Sequence, residues 1–161
     1  MPLVVYTSTY RCSDPDRFDI TRVGAQRAAK SGKPFPGEAF APSNDLLWPA
    51  KNLSEVADAL LVPDHEALAA QLSIVMDEVY AICYAAEMRV SAGMPEHRWS
   101  ALEKLARTRG VIPRPGAWRD LLAKERVVAV CFCAEPHRCH RGRLAQFLVK
   151  MGATYAGELA A

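Results

Sequence analysis

No apolar run in this 161-residue chain approaches the ~20 residues that a helix needs to cross a bilayer. The opening, Met1-Pro2-Leu3-Val4-Val5-Tyr6, has neither a basic segment ahead of an apolar one nor a small-residue cleavage site. It reads as the start of a strand and not as a signal peptide. Net charge is also scarce: +2 overall is no global electrostatic footprint for nucleic acid. No GxGxxG turn and no Walker-type lysine loop names a nucleotide. Repeats, low-complexity tracts and linkers are absent. The cysteine count, five, is odd. That argues against a disulfide frame and for free thiols, a metal site or catalysis in a reducing compartment. These absences point to one domain over 1–161, cytoplasmic and without a membrane partner. Half its residues are apolar, enough for one core.

What is present is organised around two strands. Leu3–Thr7 is apolar, β-branched and aromatic and reads as the first. Arg126–Cys133 is apolar on both faces and reads as a buried strand near the other end. Between them, Asp16–Ile20 reads as a short extended piece, and Gln26–Pro42, with its glycines and prolines, as a long loop. Ser43-Asn44-Asp45 resembles a helix start that Pro49 cuts short. Pro63–Ser91 is the strongest helical segment, with Asp64 as N-cap. Its apolar stripe runs through Leu68, Leu72, Val75, Met76, Val79, Ile82, Cys83 and Ala86. Trp99–Arg107, Trp118–Lys124 and Arg138–Met151 follow as helices, the last ended by Gly152. Thr154–Ala161 is a tail or short edge strand. This order predicts a three-layer, Rossmann-like α/β fold with a mostly parallel sheet flanked by helices. Pairing the two strands would bring Tyr10, Arg11 and Cys12 close to Cys133, His140 and Arg141.

The densest stretch is Cys131-Phe132-Cys133-Ala134-Glu135-Pro136-His137-Arg138-Cys139-His140-Arg141. Three of the five cysteines, two of the four histidines and two arginines fall within eleven residues. It sits at a strand-to-helix junction, where ligands bind in α/β sheets. Cys133 through Arg141, followed by Leu144-Ala145, resembles the signature of the domain of unknown function 488 family. Val5-Tyr6-Thr7-Ser8-Thr9-Tyr10 is similar to that family's opening strand and loop. Asp16-Arg17-Phe18-Asp19-Ile20-Thr21 and Phe40-Ala41-Pro42-Ser43 are similar to segments of one of its branches. The resemblance implies a single α/β domain and no particular activity.

Three chemistries fit the cluster. The first is anion binding: a helix start offers free N–H groups, and Arg138 and Arg141, with Tyr10 and Arg11 closing the other side, can grip phosphate or carboxylate. The bland alternative pairs Glu135 with an arginine. The second is thiol chemistry at Cys133 with His140 beside it and Asp14 as acid or base; Asp14, Asp16 and Asp19 alternatively cap turns. The tight phosphatase pattern fails, because the sixth residue after Cys133 is Cys139 and the sixth after Cys131 is His137. The third is zinc on Cys131, Cys133, Cys139 and His140. Against it, C-x-C on an extended strand spreads the thiolates, and adjacent Cys139 and His140 on a helix point about 100° apart. The spacing therefore predicts no stoichiometric zinc and no other cofactor. The leading expectation is binding, and possibly processing, of a phosphate-bearing nucleotide or nucleic-acid end at Cys133–Arg141. The alternative is a noncatalytic nucleic-acid or protein-binding module with a structural Cys/His cluster.

Overall fold

The computed structural model describes residues 2–46, 66–133 and 139–160. Among them four strands form one sheet: β1 (Val4–Thr9), β2 (Arg17–Asp19), β3 (Arg126–Cys131) and β4 (Thr154–Glu158), in the order β2-β3-β1-β4. Every pairing is parallel. The flanking helices are α1 (Arg22–Ser31), α2 (Glu66–Ser91), α3 (Ala101–Thr108), α4 (Pro115–Leu122) and α5 (His140–Lys150). The result is the three-layer α/β arrangement that the element order predicts. No described helix is long and apolar enough to cross a membrane.

β3 is the buried centre. All of Val127–Cys131 is out of solvent, as a strand apolar on both faces must be. Leu3, Val5, Val127 and Ala129 join the main core with Tyr84 and Met88 of α2, Trp118 and Leu121 of α4, and Leu144 and Leu148 of α5. Val128 and Val130 pack instead with Cys12, Tyr6, Tyr10 and Leu159. The β1–β3 register runs from Val4 opposite Arg126 to Thr9 opposite Cys131. Both strands therefore end at the same edge, and their exit loops meet there: the rings of Tyr10 and Phe132 stack with centroids 4.0 Å apart.

Two expectations change. Residues 26–42 are not one long loop, because α1 occupies their first third. The Thr21 hydroxyl accepts the Gly24 N–H at 2.9 Å to start that helix, and Gly32, at φ 66°, ends it. Half of α1 is polar and most of the rest is alanine or glycine, so it lacks the apolar repeat by which a helix is recognised in sequence. Second, the predicted stripe on α2 is its buried face only in part: Ala86 is buried and Cys83 packs against the core. Val75, Val79 and Ile82 are exposed, whereas Tyr80, Tyr84 and Met88 are buried. The helix is apolar most of the way round, so its pattern does not fix its rotation, and the large tyrosine rings claim the core. The rest of that stripe (Leu68, Leu72, Met76), the Asp64 cap and Trp48 lie outside the described side chains. Of the two readings of 154–161, tail or short edge strand, the second holds: Thr154–Glu158 is the edge strand beside β1.

The segment after α1 is held by a close approach. A Cβ on Gly37 would sit 1.7 Å from the backbone oxygen of Asp19, at the end of β2. Gly37→Ala should therefore force the 3-10 turn Pro36–Phe40 off the sheet and cost about 1–3 kcal/mol. Thermal or denaturant unfolding measures this directly, and a stability equal to wild type would refute the close contact.

Candidate metal centre

The site begins where β3 stops. Along a regular strand, residues i and i+2 lie about 6.6 Å apart on one face. The strand ends at Cys131 and the chain bends at Phe132. That bend brings the Cys133 sulfur to 3.7 Å from that of Cys131. Cys139 then arrives from the other side, as the residue before α5. Its backbone is extended (φ −111°, ψ 151°), so the 100° helical offset from His140 does not apply. The sulfurs of Cys131, Cys133 and Cys139 all lie within 4.8 Å of one another. Both geometric objections to convergence thus fail on local backbone conformation that a residue count does not reveal.

His140 lies against two of the three sulfurs. Its Nδ1 lies 3.6 Å from the Cys131 sulfur and 3.8 Å from that of Cys139. Its Nε2 lies 3.1 Å from the carbonyl oxygen of Ile20, just past the end of β2. A carbonyl only accepts, so Nε2 carries the proton and Nδ1 turns its lone pair to the thiols. Burial lowers the His140 pKa to about 4, which keeps the ring neutral. Hydrogen bonds from Cys131 and Cys139 hold the Cys133 thiol far below the usual range, helped by the nearby Arg141 guanidinium. The same bonds push Cys131 upward. The cluster therefore favours one thiolate, on the single exposed member, Cys133.

Arg141 lies beneath the cluster and is fully buried. Its guanidinium donates to the Cys133 carbonyl and, at 2.9 Å, to Glu158 of β4. Glu158 also accepts from Thr7, and the Thr7 hydroxyl meets the Tyr155 hydroxyl at 2.9 Å. The expected anion contact is thus turned inward, to a carboxylate on the edge strand. Arg138 and Glu135 lie outside the described residues. Tyr10 reaches the rim through its stack on Phe132, with the Arg17 guanidinium 4.4 Å from its ring centre. Arg11 is exposed and has no ion pair among the described residues.

Asp14 belongs elsewhere. Its carboxylate is gripped bidentately by Arg126 at 2.7 and 2.8 Å, at the start of β3. The thiols sit at the other end of that six-residue strand, roughly 17 Å away at the usual rise. The cause is topological: for β2 to run parallel to β3, the chain must return from the end of β1 to the opposite edge. Asp16 joins the same arginine at 2.6 Å. Asp19 caps a turn, accepting the Thr21 N–H at 2.8 Å. Cys12 is buried with Val128 and Val130 and is not among the three clustered thiols. Sequence reasoning missed the Ile20 carbonyl and Glu158; neither carries a local signal.

No protein-family description matches this chain, and neither a curated protein nor a solved structure does so. The resemblance to the domain of unknown function 488 family therefore rests on the segments that carry it.

Arg141→Ala should cost about 3 kcal/mol of stability, the low end for breaking a buried pair because Glu158 keeps some contact with water; an unchanged melting temperature would contradict the pairing. Arg126→Ala should free Asp14. The arginine hydrogen bond lowers the Asp14 pKa from 3.8 to about 2, so the pair stabilises the fold above the ordinary value and ceases to do so as pH falls towards 2. A carboxyl NMR titration of the variant should return Asp14 to the ordinary carboxylate range.

Proposed function

We propose that this is a cytosolic metal-binding protein in which Cys131, Cys133, Cys139 and His140 hold one thiophilic divalent cation of the zinc class. The observation that carries this reading is the set of donor separations. A tetrahedral ion with sulfur at ~2.3 Å and nitrogen at ~2.0–2.1 Å needs S···S edges of about 3.8 Å and S···N edges of about 3.5 Å. The Cys131–Cys133 edge is 3.7 Å, and the edges from His140 to Cys131 and to Cys139 are 3.6 and 3.8 Å. The second shell supports it as well: a ligating imidazole usually donates its other N–H to a carbonyl or carboxylate, as His140 does to Ile20.

Four protein donors leave no open coordination position, which marks a structural centre and not a catalytic one. The ion would clamp the end of β3 to the start of α5 and hold the Tyr10–Phe132 ring pair at the surface. That favours a noncatalytic module, with a protein or nucleic acid as its partner, over phosphate processing at this junction. The commitment of Arg141 to Glu158 weighs the same way. The cytosol is the compartment in which the three thiols stay reduced and available.

A second reading has its own observation. Cys133 is exposed and strongly acidified, and the Cys131 sulfur lies 3.7 Å away, so the pair can also serve as a redox dithiol. The two readings separate in one measurement. Protein purified under reducing conditions should contain about one zinc per chain by elemental analysis. Cys139→Ser should lose it, and cobalt substitution should give sulfur-to-metal charge-transfer bands that vanish in the same variant. Bound zinc should raise the melting temperature and protect all three thiols from alkylation. Chains that remain metal-free when zinc is supplied, with Cys133 alkylating freely, would discard the metal reading in favour of the dithiol.

A further inference from the structure

A polar cavity of about 180 Å³ opens between the start of α1, the Ala39–Ser43 segment, the C-terminal half of α2 and the turn after α3. We propose that it binds a small oxyanion, a phosphate or carboxylate group held by the guanidinium groups of Arg22 and Arg109. None of the Cys/His donors lines it, so the proposal is independent of the metal reading.

The case rests on which polar groups in the cavity are already satisfied. Its deepest acid is Glu87, 1% exposed. One Glu87 oxygen accepts the Ser43 N–H at 2.9 Å, and the other accepts the Ser43 hydroxyl. That hydroxyl in turn accepts the Leu46 N–H at 3.2 Å. The buried carboxylate is therefore bonded by neutral donors belonging to the segment beside it. A second acid, Glu38, is paired with Arg114 at 3.1 Å. The third, Asp45, is exposed.

The remaining cations are not matched in this way. Arg22 donates through Nε to the Asn44 amide oxygen at 3.0 Å, and among the described residues its terminal nitrogens have no partner. The Arg109 backbone N–H donates to the Leu105 carbonyl at 3.1 Å, but its guanidinium has neither a hydrogen bond nor an ion pair among the described residues. Both residues are half-buried, and both lie near enough to Glu87 to act on its carboxyl electrostatically. Neither closes an ion pair with it. Two guanidinium forks thus face one carboxylate with no partner among the described residues, the exposed Asp45. Two planar forks in a partly dry site are suited to the paired oxygens of phosphate or carboxylate. The volume limits the choice: ligand pockets for larger organic molecules start at ~300 Å³, so this cavity suits an oxyanion on a small body and not a whole nucleotide.

The test uses the full chain, at constant ionic strength set with chloride, titrated with inorganic phosphate and separately with acetate. Calorimetry or the chemical shifts of the arginine side chains provide the readout. Saturable one-site binding of at least one anion is expected, weakened tenfold or more in Arg109→Gln and in Arg22→Gln. It should be unchanged in Arg119→Gln, whose side chain is 81% exposed and absent from the lining. Binding of phosphate alone identifies a phosphorylated ligand; binding of acetate alone identifies a carboxylate. Without anion, Arg109→Gln should melt with wild type. If neither anion saturates, if Arg109→Gln binds as wild type does, or if that variant is itself strongly destabilised, the proposal is overturned; the last result would make Arg109 a structural counter-ion of Glu87.

Discussion

Parallel pairing of β1 with β3 is the contact on which the rest of the structure depends. It joins segments near the two ends of the sequence and therefore closes a long loop before any of its hydrogen bonds form. Its register, Val4 opposite Arg126 through Thr9 opposite Cys131, fixes which residues share an edge. Everything at the thiol centre follows from that edge. Ile20 is placed there because β2 runs along β3. Glu158 is placed there because β4 runs along β1.

The start of α5 explains why the centre is anionic from within. A helix N-terminus and a buried guanidinium together attract negative charge. From sequence alone, that charge was expected to come from a ligand. In the structure two groups of the chain supply it: the acidified Cys133 thiol and the Glu158 carboxylate. A fully buried arginine is tolerable only when paired and hydrogen-bonded, and the Cys133 carbonyl together with Glu158 provides that. Arg141 is thereby a strut between α5, the Cys133 bend and the edge strand.

Tyr84 couples this region to the cavity on the other side of α2. Its ring centre lies 6.1 Å from that of His140, and its hydroxyl donates to the Phe40 carbonyl at 2.6 Å. Phe40 leads into the Ala41–Ser43 segment that wraps Glu87. One buried side chain thus packs against the thiol centre and anchors the wall of the cavity. Ser91 does a similar service further along α2: it donates to the Ala39 carbonyl at 2.6 Å and meets the Trp118 indole N–H at 3.0 Å.

The sequence by itself determined the features that depend on neighbouring residues. β3 is apolar on both faces, so it had to be a central strand. Cys133, Cys139 and His140 lie at a strand-to-helix junction, so their location at the sheet edge was legible. The pairing of β1 with β3 followed from their being the two clearest strands of an α/β chain. Tertiary structure decided whatever depends on backbone direction over distance. The bend after Cys131 and the extended backbone of Cys139 closed the thiols together, against the spacing argument. The return of the chain to start β2 carried Asp14 to the far edge. Packing chose the tyrosine face of α2 over its valine and isoleucine face. Arg141 was visible in the sequence, but its partner Glu158 was not. A charge pair between a helix and an edge strand is set by which strands become neighbours, and no local pattern of residues encodes that.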